Sequence, residues 1–327
     1  IWGDNLLVMG SLLEKFAGKI DLIYIDPPFA TGSDFSFSAL VGDGDQKIEK
    51  ERSAIEEKAY RDTWGGGIER YLGMISSRLE VIRDLLKATG SLFVHLDPTV
   101  VHYVKPILDE LFGQSFGDSN RPGFRNEIVW CYSGGGIPTK EFPRKHDVIL
   151  WYSKGTSWTF NTQYRPYSPG TVQRGRTAVK GDNAKLRDEG TPVTDWWPDV
   201  KRITSPTDPE KLYYPTQKSE ELLSRILAVG SNPGDLVADF FCGSGTTLAV
   251  AEKLGRRWVG ADLGRYAVHT ARKRLLEFDG CKPFEVLNLG RYERQYWQGV
   301  TFGKDKSSNE LSIYEYVAFV LRLYRAQ

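Results

Sequence analysis

The chain has 327 residues, of which 40% are hydrophobic and 26% charged, so it can bury one large core together with a second, inserted or appended unit. No run approaches the roughly 18 apolar residues of a membrane helix, and the first residues are strand-like, which argues against a membrane span or signal peptide and favours a cytoplasmic protein. Its three cysteines match no metal-binding pattern and cannot all pair, so no metal site is predicted and a reducing compartment is indicated.

The first predicted strand, residues 21–25, leads directly into the turn Asp26-Pro27-Pro28-Phe29. Two consecutive prolines fix φ and supply no N–H, so the carbonyl groups of Asp26 and Pro27 stay free to accept hydrogen bonds from a ligand. A carboxylate next to an aromatic ring suits a flat ring that carries an amino group. The same four residues are also typical of an ordinary turn at the end of a strand.

A polar, glycine-rich stretch at residues 36–67 follows, and we interpret it as a mobile loop beside this turn. Apolar residues then recur at helical spacing over residues 68–88, and Gly90 ends that pattern before a predicted strand at 91–96. Helix and strand alternate until about residue 120, which is typical of an α/β fold.

Positive charge is concentrated between residues 121 and 202, where fourteen Lys and Arg stand against eight Asp and Glu, although the whole chain nets only +1. Two strand-like runs, at 126–132 and 147–152, border a long stretch of glycine, proline, aromatic and basic residues. Such a concentration suits duplex DNA, because basic side chains that neutralise phosphates release condensed counterions. A solvated loop with scattered charge is the alternative. The leading candidate DNA contacts are Arg165, Arg174, Arg176, Lys180, Lys185 and Arg187.

A second strand-turn-helix pattern lies near the end of the chain. Asp239 ends a predicted strand, the glycine turn Phe241-Cys242-Gly243-Ser244-Gly245-Thr246 follows, and Asp262 ends the next strand. Glycines let the backbone approach a ligand closely, and an acidic residue at the end of the second strand can bond both hydroxyls of a ribose. The spacing is that of a nucleotide-binding unit. A dinucleotide-dependent oxidoreductase is therefore one alternative.

The order of these motifs resembles the S-adenosylmethionine-dependent DNA amino-methyltransferases of the permuted (beta) group, in which the catalytic motif precedes the cofactor motif. In that group Asp-Pro-Pro-Tyr or Asp-Pro-Pro-Phe marks catalysis, matched by Asp26 to Phe29, and Phe-x-Gly-x-Gly marks the cofactor loop, matched by Phe241 to Gly245. A Pro-Thr-Gln-Lys-Pro element is matched from Pro215 to Lys218, with Ser219 in place of the last proline, and an opening Gly-Asp turn is matched at Gly3-Asp4. The resemblance extends to about residue 290.

The resemblance implies a Rossmann-like, doubly wound, mostly parallel α/β sheet with an inserted, irregular target-recognition region. Residues 1–120 would form the catalytic half, 121–212 the target-recognition region and 213–290 the cofactor-binding half. Residues 291–327 would be a C-terminal extension that ends without a helix cap, as in a truncated chain.

The activity implied is transfer of a methyl group from S-adenosylmethionine to the exocyclic N6 of a flipped adenine in duplex DNA, by direct displacement and with no covalent enzyme intermediate. The catalytic residues would be Asp26, Pro27, Pro28 and Phe29, with Phe29 stacking on the base and Trp64 covering it or filling the vacated stack. Adenine is favoured over cytosine N4 only because the family associates an Asp before Pro-Pro with adenine. The cofactor contacts would be Asp4, Asn5, Asp26, Thr216, Gln217, Lys218, Asp239, Phe241, Gly243, Ser244, Gly245, Thr246 and Asp262.

The expected partner is double-stranded DNA in the nucleoid, and a cognate restriction enzyme, another defence-system subunit and a second copy of the chain are further candidates. Two alternatives stay open at this point beside the oxidoreductase. One is methylation of RNA or protein in a similar crevice, and the other is a DNA-binding module that keeps the fold without the activity.

Overall fold

The structure is a computed structural model, and it describes residues 1–28, 37–40, 47–50, 67–115, 117–118, 120–133, 138–177, 185–205 and 207–289. Its helices within these ranges are α1 (Asn5–Phe16), α2 (Gly67–Leu85), α3 (Val101–Phe112), α4 (Pro169–Arg174), α5 (Glu220–Gly230), α6 (Thr246–Lys253) and α7 (Arg265–Leu276). The strands are β1 (Ile20–Ile25), β2 (Phe37–Leu40), β3 (Lys47–Lys50), β4 (Leu86–Leu96), β5 (Gly123–Cys131), β6 (His146–Ser153), β7 (Tyr164–Arg165), β8 (Thr191–Pro192), β9 (Trp196–Trp197), β10 (Leu236–Asp239) and β11 (Arg257–Gly260).

Seven strands form one sheet in the order β11-β10-β1-β4-β6-β5-β9. β6 runs antiparallel to both of its neighbours, and the other neighbouring pairs are parallel. Parallel neighbours need long crossovers, which α2 supplies between β1 and β4 and α6 supplies between β10 and β11. The predicted α/β class with a mostly parallel, doubly wound sheet is confirmed.

The strand order reverses between β1 and β10. From β1 the chain proceeds to β4 on one side, and from β10 it proceeds to β11 on the other. The two strands are parallel and in register, with Ile23 opposite Ala238, so their carboxyl ends open at the same edge of the sheet. This reversal point is where open α/β sheets bind ligands. The Asp26 turn and the glycine turn therefore border one crevice, although 213 positions of sequence separate Asp26 from Asp239.

Helices cover both faces of the sheet, which explains why β1 is an almost continuous apolar run. Ile23 and Ile25 pack into a core cluster with the apolar faces of α1, α2 and α3. Leu22 and Tyr24 point to the opposite face and pack with α5. The sequence alternation of β1 thus decides which helices its side chains meet. Position 26 falls in the same alternation as Leu22 and Tyr24.

The central sheet extends into the segment 121–212 that the sequence analysis assigned to target recognition. β5 and β6 pair along most of their length and add two strands beside β4. The strand-like runs at 126–132 and 147–152 are therefore part of the core fold. Among the described residues beyond Ser153, the segment carries only the short elements α4, β7, β8 and β9.

Several predictions fall on residues outside the described ranges. Within the predicted loop at 36–67, β2 and β3 pair antiparallel and α2 begins at Gly67. The rest of that stretch, including Trp64, is not described, and neither are Phe29, Lys180 and residues 291–327.

Among the helices that the structure describes, none has both the length and the apolar character needed to cross a membrane.

Candidate active site

Asp26 lies in the turn that follows β1, and a lysine from a distant part of the chain contacts it there. Lys218 Nζ donates a hydrogen bond to Asp26 Oδ2, and the side chains of Lys218 and Asp26 are 13% and 14% exposed. Lys218 reaches this face because it lies directly before Ser219, the N-cap residue of α5. The other oxygen, Asp26 Oδ1, is buried and has no hydrogen-bond partner among the described residues. A buried acceptor without a partner is rare in native structures and marks a place for a ligand donor.

The glycine turn joins β10 to α6, and two of its glycines are required by the backbone. Gly243 and Gly245 have φ values of 47° and 75°, in the left-handed region that favours glycine. A Cβ at Gly243 would lie 3.3 Å from the ring of Tyr214, and a Cβ at Gly245 would lie 2.6 Å from the Cβ of Ala271. Side chains at these two positions would strain the backbone and crowd Tyr214 and Ala271, and the N-terminus of α6 follows the turn.

Asp239 ends β10 and is buried beneath this turn. Its Oδ2 accepts a hydrogen bond of 2.5 Å from the Thr247 hydroxyl, and its Oδ1 accepts one of 3.0 Å from the Phe241 N–H. Burial, together with the charges of Asp26 and Asp262, raises the pKa of Asp239 to about 7 against the effect of these hydrogen bonds. Asp239 thus holds the shape of the glycine turn, and whether it also contacts a cofactor stays a prediction.

The raised pKa of Asp239 gives a testable pH dependence of stability. The stabilising contribution of its protonated form is full below the unfolded pKa of 3.8 and is lost as pH rises through about 7. We expect Asp239→Asn, which never charges, to gain roughly 2 kcal/mol of unfolding free energy relative to wild type between about pH 5.5 and about pH 8. Urea unfolding of both proteins at the two pH values measures the difference. Parallel pH dependences would show that Asp239 is charged in the folded protein throughout.

Asp262 follows β11 and bridges two turns. Its Oδ2 accepts a hydrogen bond of 2.9 Å from the Gly243 N–H, and its Oδ1 accepts one of 2.7 Å from the Gly264 N–H. Hydrogen bonds from the hydroxyls of a ribose to Asp262 stay a prediction. The structure brings Asp262 to the glycine turn, as the nucleotide-binding pattern requires.

Asp4 and Asn5 attach α1 to the same region. Asp4 is the N-cap residue of α1 and accepts hydrogen bonds from the Leu6 and Leu7 N–H groups. Asn5 Nδ2 donates to the Phe240 carbonyl at 3.0 Å, just before the glycine turn. Arg78 on α2 pairs with both residues, donating to Asn5 Oδ1 at 2.5 Å and to Asp4 Oδ2 at 3.2 Å. Sequence reasoning missed Arg78, because on sequence alone it is one polar residue on an amphipathic helix.

In the segment before α5, Tyr214 contacts the glycine turn, whereas the Gln217 side chain bonds within its own loop. The Gln217 side chain is used within its own loop, because Oε1 accepts from the Leu212 N–H and Nε2 donates to the Glu210 carbonyl. Thr216 is exposed. The ring of Tyr214 lies against Gly243 and stacks on Tyr266 with centroids 5.9 Å apart, a pair that the sequence analysis did not identify. Cofactor contacts by Thr216 and Gln217 stay predictions.

A largely buried hydrogen-bond chain on the face that α5 covers links β1, β4 and β6 to Tyr132, the residue that follows β5. The Tyr24 hydroxyl bonds His95 Nδ1 at 2.9 Å, and His95 Nε2 bonds Asp147 Oδ2 at 3.2 Å. The Tyr132 hydroxyl donates to Asp147 Oδ1 at 2.9 Å. Burial alone would raise the pKa of Asp147, but the hydrogen bond from His95 and the charges of His95 and Lys218 bring it below its usual value. Asp147 is therefore a buried negative charge near Lys218.

The predicted DNA contacts that are described lie together in one part of the chain. Arg174, Arg176, Lys185 and Arg187 are exposed, and Arg165 is half-buried. The hydrogen bond from the Arg187 N–H to the Tyr167 hydroxyl, 3.1 Å long, and the β7–β8 pairing connect the two ends of this part. Ser168 caps α4, at whose last residue Arg174 lies.

Known proteins share both the sequence pattern and the fold. Type II methyltransferase M.EcaI of Enterobacter cloacae is 27% identical over 99% of this chain and 77% of its own length. The Mod subunit of the type III restriction-modification enzyme StyLTI of Salmonella typhimurium is 27% identical over 75% of this chain and 48% of its own length. Among solved structures, PvuII DNA methyltransferase, described as cytosine-N4-specific, matches with a TM-score of 0.52 at 17% identity and covers 86% of each chain, a likeness of fold.

A protein-family model is matched across the Asp26 turn, the central sheet and the glycine turn. The model is described as DNA methylase, N6_N4_Mtase, and it matches residues 20–273, which is more than half of the chain. The chain therefore belongs to the N6_N4_Mtase family of DNA methylases.

Proposed function

We propose that the protein transfers a methyl group from S-adenosylmethionine to the exocyclic amino group of a base in double-stranded DNA, and that this base is adenine. The observation that carries the proposal is that the parallel strands β1 and β10 end at a common edge, where the glycine turn follows β10 and Asp26 follows β1. One carboxylate oxygen of Asp26 is buried there and has no hydrogen-bond partner among the described residues. A methyl donor and an amino-bearing base need such neighbouring sites. An oxidoreductase would use the glycine turn but would leave the Asp26 turn without a role.

The residues around the glycine turn fit the proposed cofactor. The turn from Phe241 to Thr246 needs glycine at two positions and leads into the N-terminus of α6, which is the strand-turn-helix arrangement that binds a nucleotide. Asp262 stands where it can accept hydrogen bonds from both ribose hydroxyls. S-adenosylmethionine, when bound, supplies a sulfonium methyl group that a nitrogen can attack.

The Asp26 turn suits the attacking amine. An exocyclic amine is a poor nucleophile, because its lone pair is delocalised into the ring, so the site has to hold the nitrogen with that lone pair turned toward the methyl group. Asp26 Oδ1 and the Pro27 carbonyl are two acceptors for the two N–H groups of one amine. Holding both reactants in line can supply roughly 7–11 kcal/mol of the barrier.

The transfer step leaves a positive charge on the amine, and the carboxylate of Asp26 stabilises that charge. The nitrogen–carbon bond forms as the sulfur–carbon bond breaks, so the amine becomes cationic while the sulfur becomes neutral. Asp26 stabilises this charge, and the product then loses a proton to the carboxylate or to water. No nucleophilic cysteine takes part in this scheme.

The target amine lies inside the duplex, so the nucleotide has to flip out at a cost of a few kcal/mol. Stacking on an aromatic ring contributes about 1–3 kcal/mol, which offsets much of that cost. Phe29 is proposed for this stack and Trp64 for covering the base, and both lie outside the described residues.

The assignment of adenine as the target base depends on the family's association of an Asp before Pro-Pro with adenine. The N4 amino group of cytosine is the second candidate. PvuII DNA methyltransferase, which is described as cytosine-N4-specific, has a similar fold, so the fold does not choose between the bases. Both bases present an amine beside a ring nitrogen.

The deciding experiment is mass spectrometry of nucleosides from DNA incubated with the protein and methyl-labelled cofactor. We expect labelled N6-methyladenine. Labelled N4-methylcytosine would replace the adenine assignment, and no label in any DNA would overturn the proposal. Sequencing of the modified DNA then locates the recognition sequence.

The target-recognition region at 121–212 is proposed to bind the duplex, with the exposed Arg174 and Arg176 among its phosphate contacts. We expect the double variant Arg174→Ala/Arg176→Ala to bind DNA more weakly at low salt. The slope of log K against log salt should fall by about 0.9 per lost phosphate contact. Fluorescence anisotropy with a labelled duplex at several salt concentrations measures this slope. Arg272→Ala, at an exposed arginine of α7, is the matched control, and an equal effect there would contradict the assignment.

The biological setting that we propose is restriction-modification. The StyLTI Mod subunit, a similar protein, is described as part of a type III restriction-modification enzyme. Methylation by this chain would then protect DNA from a companion nuclease. Such a nuclease, or another defence-system subunit, and a second copy of the chain are its proposed protein partners.

A further inference from the structure

Lys218 joins the two halves of the molecule at the catalytic turn. Its Nζ donates to Asp26 Oδ2 across 192 positions of sequence. The side chains of both residues are largely withdrawn from water. Removing two charges from water costs free energy that their attraction only partly returns, so stability alone gives little reason for a pair at this place.

The main chain of Lys218 is anchored at the cofactor side. Its carbonyl accepts a hydrogen bond of 3.1 Å from the Thr246 hydroxyl, at the first residue of α6. Arg274 Nη1 donates to that same hydroxyl oxygen at 2.8 Å. The backbone of Lys218 is thus fixed beside the glycine turn, while its side chain extends to the Asp26 turn.

The consequence for Asp26 is a difference between its two oxygens. Lys218 engages Oδ2, whereas Oδ1 is buried and has no hydrogen-bond partner among the described residues. A buried acceptor that stays unsatisfied costs about 1–3 kcal/mol, so Oδ1 favours a ligand that brings a donor. A carboxylate without a partner on Oδ2 could rotate and offer either oxygen. With Lys218 in place, one oxygen in one orientation is available.

A second carboxylate lies near the lysine on this face. Asp147 is near enough for the charge of Lys218 to lower its pKa, although the hydrogen bond from His95 is the larger favourable cause. His95 and Tyr132 hold the Asp147 carboxylate in place. The lysine therefore lies in the field of two fixed negative charges, which resists its swinging out of the crevice.

We propose that Lys218 is a positioning residue for methyl transfer, which holds Asp26 Oδ2 so that Oδ1 is aimed at the target amino group. This inference rests on the proposed function and deepens it. It departs from the expectation that Lys218 contacts the cofactor, and it predicts that the lysine affects the transfer step more than cofactor affinity.

The test separates these two quantities in Lys218→Met and Lys218→Arg. The first variant keeps an unbranched stem without charge, and the second keeps a charge in a different geometry. Cofactor affinity is measured by calorimetry without DNA, and methyl transfer is measured in a single turnover with cofactor and DNA both saturating. Lys105→Met is the matched control, because Lys105 also pairs with an aspartate, Asp109, at 2.9 Å on α3.

We expect Lys218→Met to slow single-turnover transfer by about 10²-fold while the cofactor Kd changes by less than about threefold. Lys218→Arg should recover part of the rate, and Lys105→Met should match wild type. If Lys218→Met does not fold, Lys218→Gln replaces it, with a slower transfer again expected. In an Asp26→Asn background, Lys218→Met should cause much less further loss than it does alone, because the two residues act as one unit.

Three results would overturn the inference. One is a raised cofactor Kd with a normal rate at saturation, which would make Lys218 a cofactor contact. Another is faster transfer in Lys218→Met, which would make the ion pair a closed state of the site. The third is a rate equal to wild type. These outcomes leave the proposed function standing, whereas a wild-type protein that methylates no DNA would overturn both.

Discussion

We expect Asp26→Ala to abolish methyl transfer to DNA while cofactor binding survives. The substitution removes the acceptor Oδ1 that the target amine needs, and it removes the negative charge that stabilises the amine as it becomes cationic. The reaction rate usually falls by roughly 10²–10⁴-fold when a group that transfers a proton, or that stabilises charge developing in the transition state, is removed. Single-turnover transfer of labelled methyl to DNA measures the rate, and calorimetry without DNA measures cofactor affinity.

The same substitution leaves Lys218 without its partner on Asp26, so loss of folding has to be separated from loss of chemistry. Asp26→Asn keeps the shape of the side chain and one oxygen acceptor, and thermal unfolding of both variants reports the effect on stability. The double variant Asp26→Ala/Lys218→Met removes both charges of the buried pair, and it should unfold at a higher temperature than Asp26→Ala. Wild-type turnover in Asp26→Ala would show that the catalytic assignment is wrong.

The meeting of Asp26 with the glycine turn could be predicted from sequence, because it follows from strand direction. A turn after a strand and a second turn after another strand both lie at the carboxyl edge if the strands are parallel. The structure confirms this, since Leu22 pairs with Val237 in a parallel ladder. The class of fold followed from the same alternation of strand and helix. These predictions depend on local sequence patterns and on the rule that the carboxyl ends of parallel strands lie at the same edge of a sheet.

The contacts that shape Asp26 could not be predicted in this way. The alternation of β1 assigns position 26 to the face of Leu22 and Tyr24, but no local pattern says which helix covers that face or that Lys218 precedes it. Likewise, the strand-like runs at 126–132 and 147–152 gave no sign that they join the central sheet, because pairing with β4 depends on residues far away. Side-chain partners across such separations have no signature in a single sequence.

We expect Asp262→Ala to weaken cofactor binding while transfer at saturating cofactor stays close to wild type. The proposed role of the carboxylate is to accept hydrogen bonds from the ribose hydroxyls, and it also accepts hydrogen bonds from the Gly243 and Gly264 N–H groups. A hydrogen bond to a charged group contributes about 1.5–3 kcal/mol, so the cofactor Kd should rise by roughly 10–100-fold. Calorimetry measures the Kd, and single-turnover transfer at raised cofactor concentration measures the rate.

Asp235→Ala is the matched control, because Asp235 lies directly before β10, at the opposite edge of the sheet from the crevice. It should bind cofactor as wild type does. Asp26→Ala should then lower the rate of methyl transfer, whereas Asp262→Ala should lower cofactor affinity. This contrast is expected if Asp26 acts on the reacting nitrogen and Asp262 binds the cofactor equally well in the ground state and the transition state. If the cofactor Kd is unchanged in Asp262→Ala, the ribose does not bind on this side of the crevice. The cofactor orientation that directs the methyl group toward Asp26 would then be wrong as well.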